Sequence, residues 1–295
     1  MVVIFDGKKL AAKKEKILAK KVAEFKKTTG ITPKLVAVMV GENPASELYL
    51  RKKTEVAQRV GIEIEIFKLN ELNELISLIE KKNKDKKTHG IMIQMPIEIQ
   101  KPASRDSFGI PKSKIQNKFE IRNSKFEILG SIEPRKDIDC LTPENFGLLV
   151  MGKPRFLPAT VKAILEIIKI SSFKLQASSV VVVGASNIVG KPLALHLSNL
   201  GATVTLCRSK TKNLEKYTRQ VDLLVSATGV PKLIKKDMVK KGAIVIDVGS
   251  PVGDVDFENV SQIASFITPV PGGVGPLTVV CLLENVFQAA SLMEF

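Results

Sequence analysis

Residues 180–192 read VVVVGASNIVGKP. Four successive valines predict a strand covered on both faces, because β-branched side chains suit a pleated, buried surface. The run breaks at Gly184, passes through small polar residues to Gly190, and gives way to a helical pattern at Leu193, Leu195, Leu197 and Leu200. Strand, glycine turn and helix start in that order put the first amides and the positive dipole end of a helix over the turn, where a phosphate binds. The spacing is Gly184-x-Ser186-x-x-x-Gly190 rather than the usual dinucleotide pattern, so a plain strand–turn–helix packing unit is the competing reading. The next strand, Thr203–Cys207, ends in Arg208-Ser209-Lys210. In a dinucleotide fold this corner meets the adenine ribose; a carboxylate there accepts from a free ribose hydroxyl, whereas Arg favours a 2′-phosphate. Arg, Ser and Lys without an acid favour NADP over NAD, against the alternative of a solvated basic turn.

Outward from this core the chain alternates helix and strand. Asp6 is placed to cap a helix ending at Thr29, with Leu10, Ile17, Leu18, Val22 and Phe25 on one stripe and Gly30 as its stop. Strands follow at 35–40, 62–67 and 90–95, and helices at 44–60 and 72–82, the first opened by Asn43-Pro44. Residues 97–135, rich in Lys, Ser, Pro and Asn, break the rhythm and read as a surface insertion or a weak helix-plus-hairpin. A helix at 144–151 leads on, then a helix at 161–170, strands at 222–227, 243–247 and 265–268, and a final helix at 278–293. Strands alternating with helices imply right-handed βαβ units, hence an α/β protein with parallel, doubly wound sheets.

At 295 residues the chain exceeds the size at which one core keeps growing, so two domains are expected. No apolar run reads as a bilayer span and the N-terminus does not read as a signal peptide. Cys140, Cys207 and Cys281 are too few and too scattered for a disulfide framework or a zinc site, which favours the cytoplasm. The formal net charge is +15. Residues 1–140 carry 29 Lys/Arg against 19 Asp/Glu, but the lysines are spread over helix-like segments and there is no Trp to stack on bases. Solvated helix faces and a polyanionic small substrate account for the charge, so neither nucleic acid nor membrane is expected as a partner.

Three features sit beyond strand carboxyl ends or one helical turn apart. Tyr49 and Lys53 are i and i+4 on one helix face; alone, such a pair is more often a surface packing contact. Gln94 closes the strand in GIMIQMP, and Asp137 and Asp139 lie in KDIDCLTP; the bland alternatives are a strand-end amide and acids capping the next helix. Together with GENPASELYLRKK, HGIMIQMP, AIVIDVG, VGDVDF and ITPVPGGVGPLT, these blocks resemble the bifunctional methylenetetrahydrofolate dehydrogenase/cyclohydrolase family, in the family's order and over nearly the whole chain except residues 97–135.

The resemblance implies an N-terminal three-layer α/β catalytic domain (1–145, completed by the C-terminal helix 278–295) and a Rossmann-like NADP-binding domain (146–277), with folate in a cleft between them. It implies NADP-dependent oxidation of 5,10-methylenetetrahydrofolate and hydrolysis of the methenyl product to 10-formyltetrahydrofolate, a homodimer through the second domain, and a place in the one-carbon chemistry serving purine, methionine and histidine biosynthesis. By match to the family's motifs, Lys53 is the acid/base, Gln94 orients it, Asp139 binds the pterin, Tyr49 packs beside the folate, and Pro271, Gly272 and Gly273 let backbone approach it. Gly184, Ala185, Ser186, Ile188, Val189, Arg208, Ser209, Thr228 and Gly229 are the implied cofactor contacts. Four departures stand out: Cys140 where the family usually has Gly; Val161 and Ala163 where it has Pro and Gly; only Ser-Pro between Gly249 and Val252; and the 97–135 insertion. Those in the second half leave open a chain with one activity, and a non-catalytic nucleotide-binding module is the alternative of another class.

Overall fold

The computed structural model of the chain describes residues 2–95, 97 and 127–293. The expectation for 97–135 thus falls largely outside the described residues. In chain order the elements are β1 (Val3–Ile4), α1 (Gly7–Thr29), β2 (Lys34–Val40), α2 (Pro44–Val60), β3 (Glu63–Leu69), α3 (Leu72–Lys84) and β4 (Gly90–Gln94). There follow α4 (Pro143–Val150), α5 (Ala159–Ile170), β5 (Ser179–Val183), α6 (Gly190–Asn199), β6 (Thr203–Cys207), α7 (Leu214–Thr218), β7 (Leu223–Ser226), β8 (Ile244–Asp247), α8 (Phe257–Val260), β9 (Phe266–Ile267) and α9 (Val274–Met293).

Contacts group the chain into two compact units: Met1–Leu18 with Asn145–Asn285, and Ala19–Glu144 with Val286–Phe295. This differs from a first domain beginning at residue 1. The physical reason is β1: it pairs in parallel with β9, Val3 N donating to Ser265 O and Phe5 N to Ile267 O, and the Phe5 and Phe266 rings meet at 5.7 Å.

One unit holds a three-stranded parallel sheet in the order β3-β2-β4. Central β2 is covered on both faces; Leu35 through Val40 are all within 1 % of full burial. Burial of that kind stabilises by about 1.5–3 kcal/mol per large apolar side chain. The C-terminal helix adds Phe287, whose ring stands edge-on to Phe25 at 5.6 Å. The other unit holds a six-stranded parallel sheet in the order β1-β9-β8-β7-β5-β6. From β5 the chain passes to β6 on one side and then crosses to β7 on the other, which makes the carboxyl end of β5 a topological switch point. Register sharpens this: Val183 faces both Cys207 and Ser226, so Gly184, Arg208 and Ala227 leave the sheet side by side.

By length and composition, Val274–Met293 reaches the range of a membrane span, contrary to the expectation that no run would. Its Val280, Cys281, Leu283, Val286 and Ala289 are fully buried within the protein, as in a core helix.

Candidate active site

Helix α2 is set by its caps. The Asn43 side chain accepts from Ser46 N at 2.9 Å, Pro44 occupies the first turn, and Gly61 closes the helix with φ of 80°. Tyr49 and Lys53 therefore sit one turn apart, both half-buried, with the Lys52 ammonium 5.8 Å from the Tyr49 ring centre. Lys53 Nζ donates to Gln94 Oε1 at 2.9 Å and to Met92 Sδ at 3.1 Å. Met92 and Gln94 are i and i+2 on β4 and so share one face. Gln94 Nε2 donates to Met95 O at 3.0 Å, which leaves Oε1 as the atom turned to the amine. Burial lowers the Lys53 pKa from 10.5, opposed by the Asp139 carboxylate.

The two acids of KDIDCLTP divide their roles. Asp137 is fully buried; its carboxylate accepts from Leu141 N at 2.9 Å and from Thr142 N and Oγ1 at 2.8 and 2.7 Å, pinning the turn that enters α4. The bland reading holds for it. Asp139 is half-buried and acts on Lys53. Its loop is held to β4 by Ile91 N donating to Lys136 O at 2.8 Å, by the bridge of Ile91 with Asp137, and by Ile138 packed over Gly90. Lys136, buried, donates to the carbonyls of Lys82, Asn83 and Asp85 at 2.7–2.8 Å, at the end of α3. Lys53, Gln94, Asp139 and Tyr49 thus belong to one unit, whereas Pro271, Gly272 and Gly273 belong to the other.

Beyond β5 opens a cavity of about 420 Å³, lined among others by Gly184, Ala185, Ser186, Arg208, Ser209 and Thr228. Gly184 has φ of 108°, and a Cβ there would overlap the carbonyl of Ala227. A Cβ on Gly190 would overlap the Gly184 carbonyl, so both glycines let backbone close on backbone under the cavity. Ser186 Oγ accepts from Val189 N at 3.1 Å and shapes the turn into α6. Thr228 N donates to the buried carboxylate of Asp254 at 2.6 Å. Of the expected cofactor residues, Ile188, Val189 and Gly229 do not line the cavity. Thr211 does and was not expected; its hydroxyl accepts from Arg208 N at 2.9 Å. The chemistry of the lining suits a dinucleotide phosphate: close backbone in the turn that leads to α6, and a basic corner without an acid. In the loop after β9, the Val270-Pro271 peptide is cis, Gly272 has φ of 111°, and a Cβ on Gly273 would meet the Pro269 carbonyl at 2.6 Å.

Residues 5–109 match the model of the tetrahydrofolate dehydrogenase/cyclohydrolase catalytic domain, and residues 158–294 match that of the same family's NAD(P)-binding domain. The chain belongs to this family. It is 43 % identical to the bifunctional protein FolD of Exiguobacterium sibiricum over 98 % of this chain and 100 % of that one. The crystal structure of the bifunctional FolD of Campylobacter jejuni superposes with a TM-score of 0.86 at 41 % identity, covering 99 % of each chain. The FolD enzyme of Trypanosoma brucei, solved with NADP and an inhibitor, gives 0.87 at 32 % identity over 99 % of this chain and 98 % of that one.

Against this family the departures take physical form. Cys140 has φ of 57°, the left-handed region in which glycine is at ease, and its thiol is buried with its pKa pushed up to about 12. Val161 and Ala163 are fully buried inside α5, so apolar packing takes the place of Pro and Gly there. The short Gly249–Val252 turn is gathered by Asp247, whose carboxylate accepts from Gly249, Asp254 and Val255 N at 2.8–3.0 Å.

Proposed function

We propose that this chain is a bifunctional enzyme that oxidises 5,10-methylenetetrahydrofolate with NADP and hydrolyses the methenyl product to 10-formyltetrahydrofolate. The observation that carries it is the Lys53 amine held 2.9 Å from Gln94 in a chain of this family, half-buried and with its pKa lowered. A lysine so placed is deprotonated below the ordinary lysine range and is competent as a general base.

In the first reaction the reacting carbon lies between two nitrogens, whose lone pairs stabilise the cation left by hydride loss, so no protein base is needed. Bound NADP supplies the hydride acceptor. Gly184, Ala185, Ser186 and Thr228 would seat its phosphates and nicotinamide end, and Arg208 and Ser209 its 2′-phosphate. Tyr49 would pack beside the folate, Asp139 would accept from the pterin's amino and ring N–H groups, and Pro271, Gly272 and Gly273 would cover it with backbone. In the second reaction, neutral Lys53 takes a proton from the water that adds to the amidinium carbon. The resulting ammonium returns it to the nitrogen that leaves as its C–N bond breaks. The carbinol hydroxyl then loses its proton to become the formyl carbonyl, so one proton is released overall. Gln94 holds the amine throughout. Family membership and three buried free thiols support extending the reading to a cytoplasmic homodimer, joined through the NAD(P)-binding unit.

Lys53→Met tests the assignment. Methenyl hydrolysis should fall by at least about a hundredfold, the usual worth of an acid/base group, while hydride transfer to NADP keeps the larger part of its rate. Absorbance of the methenyl product and of the reduced cofactor reads both steps in one cuvette. Parallel loss of the two in a folded variant overturns the division of roles.

A further inference from the structure

Lys53 meets two acceptors from the same strand face, and only one of them is the expected amide. Met92 Sδ lies 3.1 Å from Nζ, closer than the roughly 3.5–4.0 Å of heavy atoms in simple packing contact. Met92 is 1 % exposed, so its sulfur is fixed and dry. A neutral lysine amine has two N–H bonds and one lone pair. When Gln94 Oε1 and Met92 Sδ each take an N–H, the lone pair is left in a single direction, away from β4.

We infer that Met92 is a positioning residue for the Lys53 base: its thioether fixes the rotation of the amine while favouring the ammonium only slightly. The choice of acceptor matters. A carboxylate at this distance would favour the ammonium strongly, whereas a thioether is a weak, polarisable, uncharged acceptor. Strand β4 presents Met92 and Gln94, both uncharged; helix α2 presents the Tyr49 phenol one turn earlier; the charged group acting from the adjoining loop is Asp139. This inference rests on the assignment of Lys53 above and deepens it.

Met92→Leu keeps the volume and removes the acceptor, a change cores tolerate. Loss of one weak hydrogen bond to the base should lower kcat for methenyl hydrolysis by about three- to tenfold, with KM unchanged and the dehydrogenase kcat not following. Removing an acceptor for the charged form should also shift the acid limb of the hydrolysis pH profile, and the Lys53 titration read by NMR on the labelled side chain, to lower pH. The urea midpoint should stay near wild type. An unchanged profile and titration overturn the inference, as does equal loss of both activities with a lower midpoint, which would mark Met92 as packing alone. Failure of the underlying reading looks different: hydrolysis would survive in Lys53→Met, whatever Met92→Leu does.

Discussion

Arg208 is exposed, and the turn that carries it is fixed: its N–H donates to the Thr211 hydroxyl, and Thr211 N donates back to its carbonyl at 2.8 Å. A guanidinium at such a corner would recognise a 2′-phosphate by charge-assisted hydrogen bonds, each worth about 1.5–3 kcal/mol. Arg208→Ala should raise the KM for NADP by about tenfold or more and leave the weak use of NAD where it was, measured as dehydrogenase rate against either cofactor. An unchanged preference removes Arg208 from the phosphate site. At this scale the sequence was legible where a residue's type implies its chemistry. Lys53, Gln94 and Asp139 could be named by match to the family's motifs, and amine, amide and carboxylate are types that suit the reaction the resemblance implies. Met92 could not, because a methionine in a strand reads as core. Its signal was the alternation along β4, which puts it on the face of Gln94. Asp137 and Asp139 look alike in KDIDCLTP; only the donors around Asp137 separate a structural acid from one facing the amine.

Lys136 shows how one side chain ties elements together. Its ammonium satisfies three carbonyls at the end of α3, where the helix dipole favours a cation, while its own carbonyl accepts from β4. Lys136→Met would leave those carbonyls without their donor and release the strap leading to Asp139. The expected loss is about 2–4 kcal/mol in urea unfolding, with a raised KM for the folate substrate. A loss below about 1 kcal/mol would show the three carbonyls to be satisfied without it. Long elements with strong caps were read from sequence closely. Helix α2 begins at Pro44 and ends before Gly61 because Asn, Pro and Gly act locally. The N-terminal strand was not foreseen, since two residues carry no periodicity and its partner β9 lies more than 250 residues away. Helix α9 starts at Val274, four residues before the expected 278, because Pro276 falls in its first turn, where a missing N–H costs nothing.

For the molecule as a whole, the titrating groups set a stability profile whose sign can be worked out. His89 accepts from Lys34 N through Nδ1 at 3.0 Å, and burial first, then nearby Lys136, hold its pKa below 6.5; burial does the same for His196. Both bind a proton more readily in the unfolded chain, so stability falls as pH drops below about 6.5, by about 1.4 kcal/mol per unit for each group until its native pKa is reached. Burial of Lys53 acts in the same sense: its native pKa lies below 10.5, so stability rises as pH climbs from that value towards 10.5. Lys34 runs the other way. Hydrogen bonds that its ammonium donates to Glu65 and Glu63 raise it above 10.5, and that contribution is lost only as pH rises through its native pKa. Asp247 runs against the histidines: burial raises its pKa above 3.8, so its contribution favours folding as pH falls through the native pKa towards 3.8. The net charge of +15 adds self-repulsion as acid supplies more protons. Unfolding free energy should therefore peak on the alkaline side of neutrality and fall by about 1–3 kcal/mol between pH 8.5 and pH 5.5 at constant ionic strength. Urea titrations across that range read it directly, and His89→Asn should flatten the slope by one group's share. A profile level or rising towards pH 5.5 would mean that the two imidazoles are protonated in the native protein, and that the Lys34–His89 hydrogen bond does not hold at the amino ends of β2 and β4.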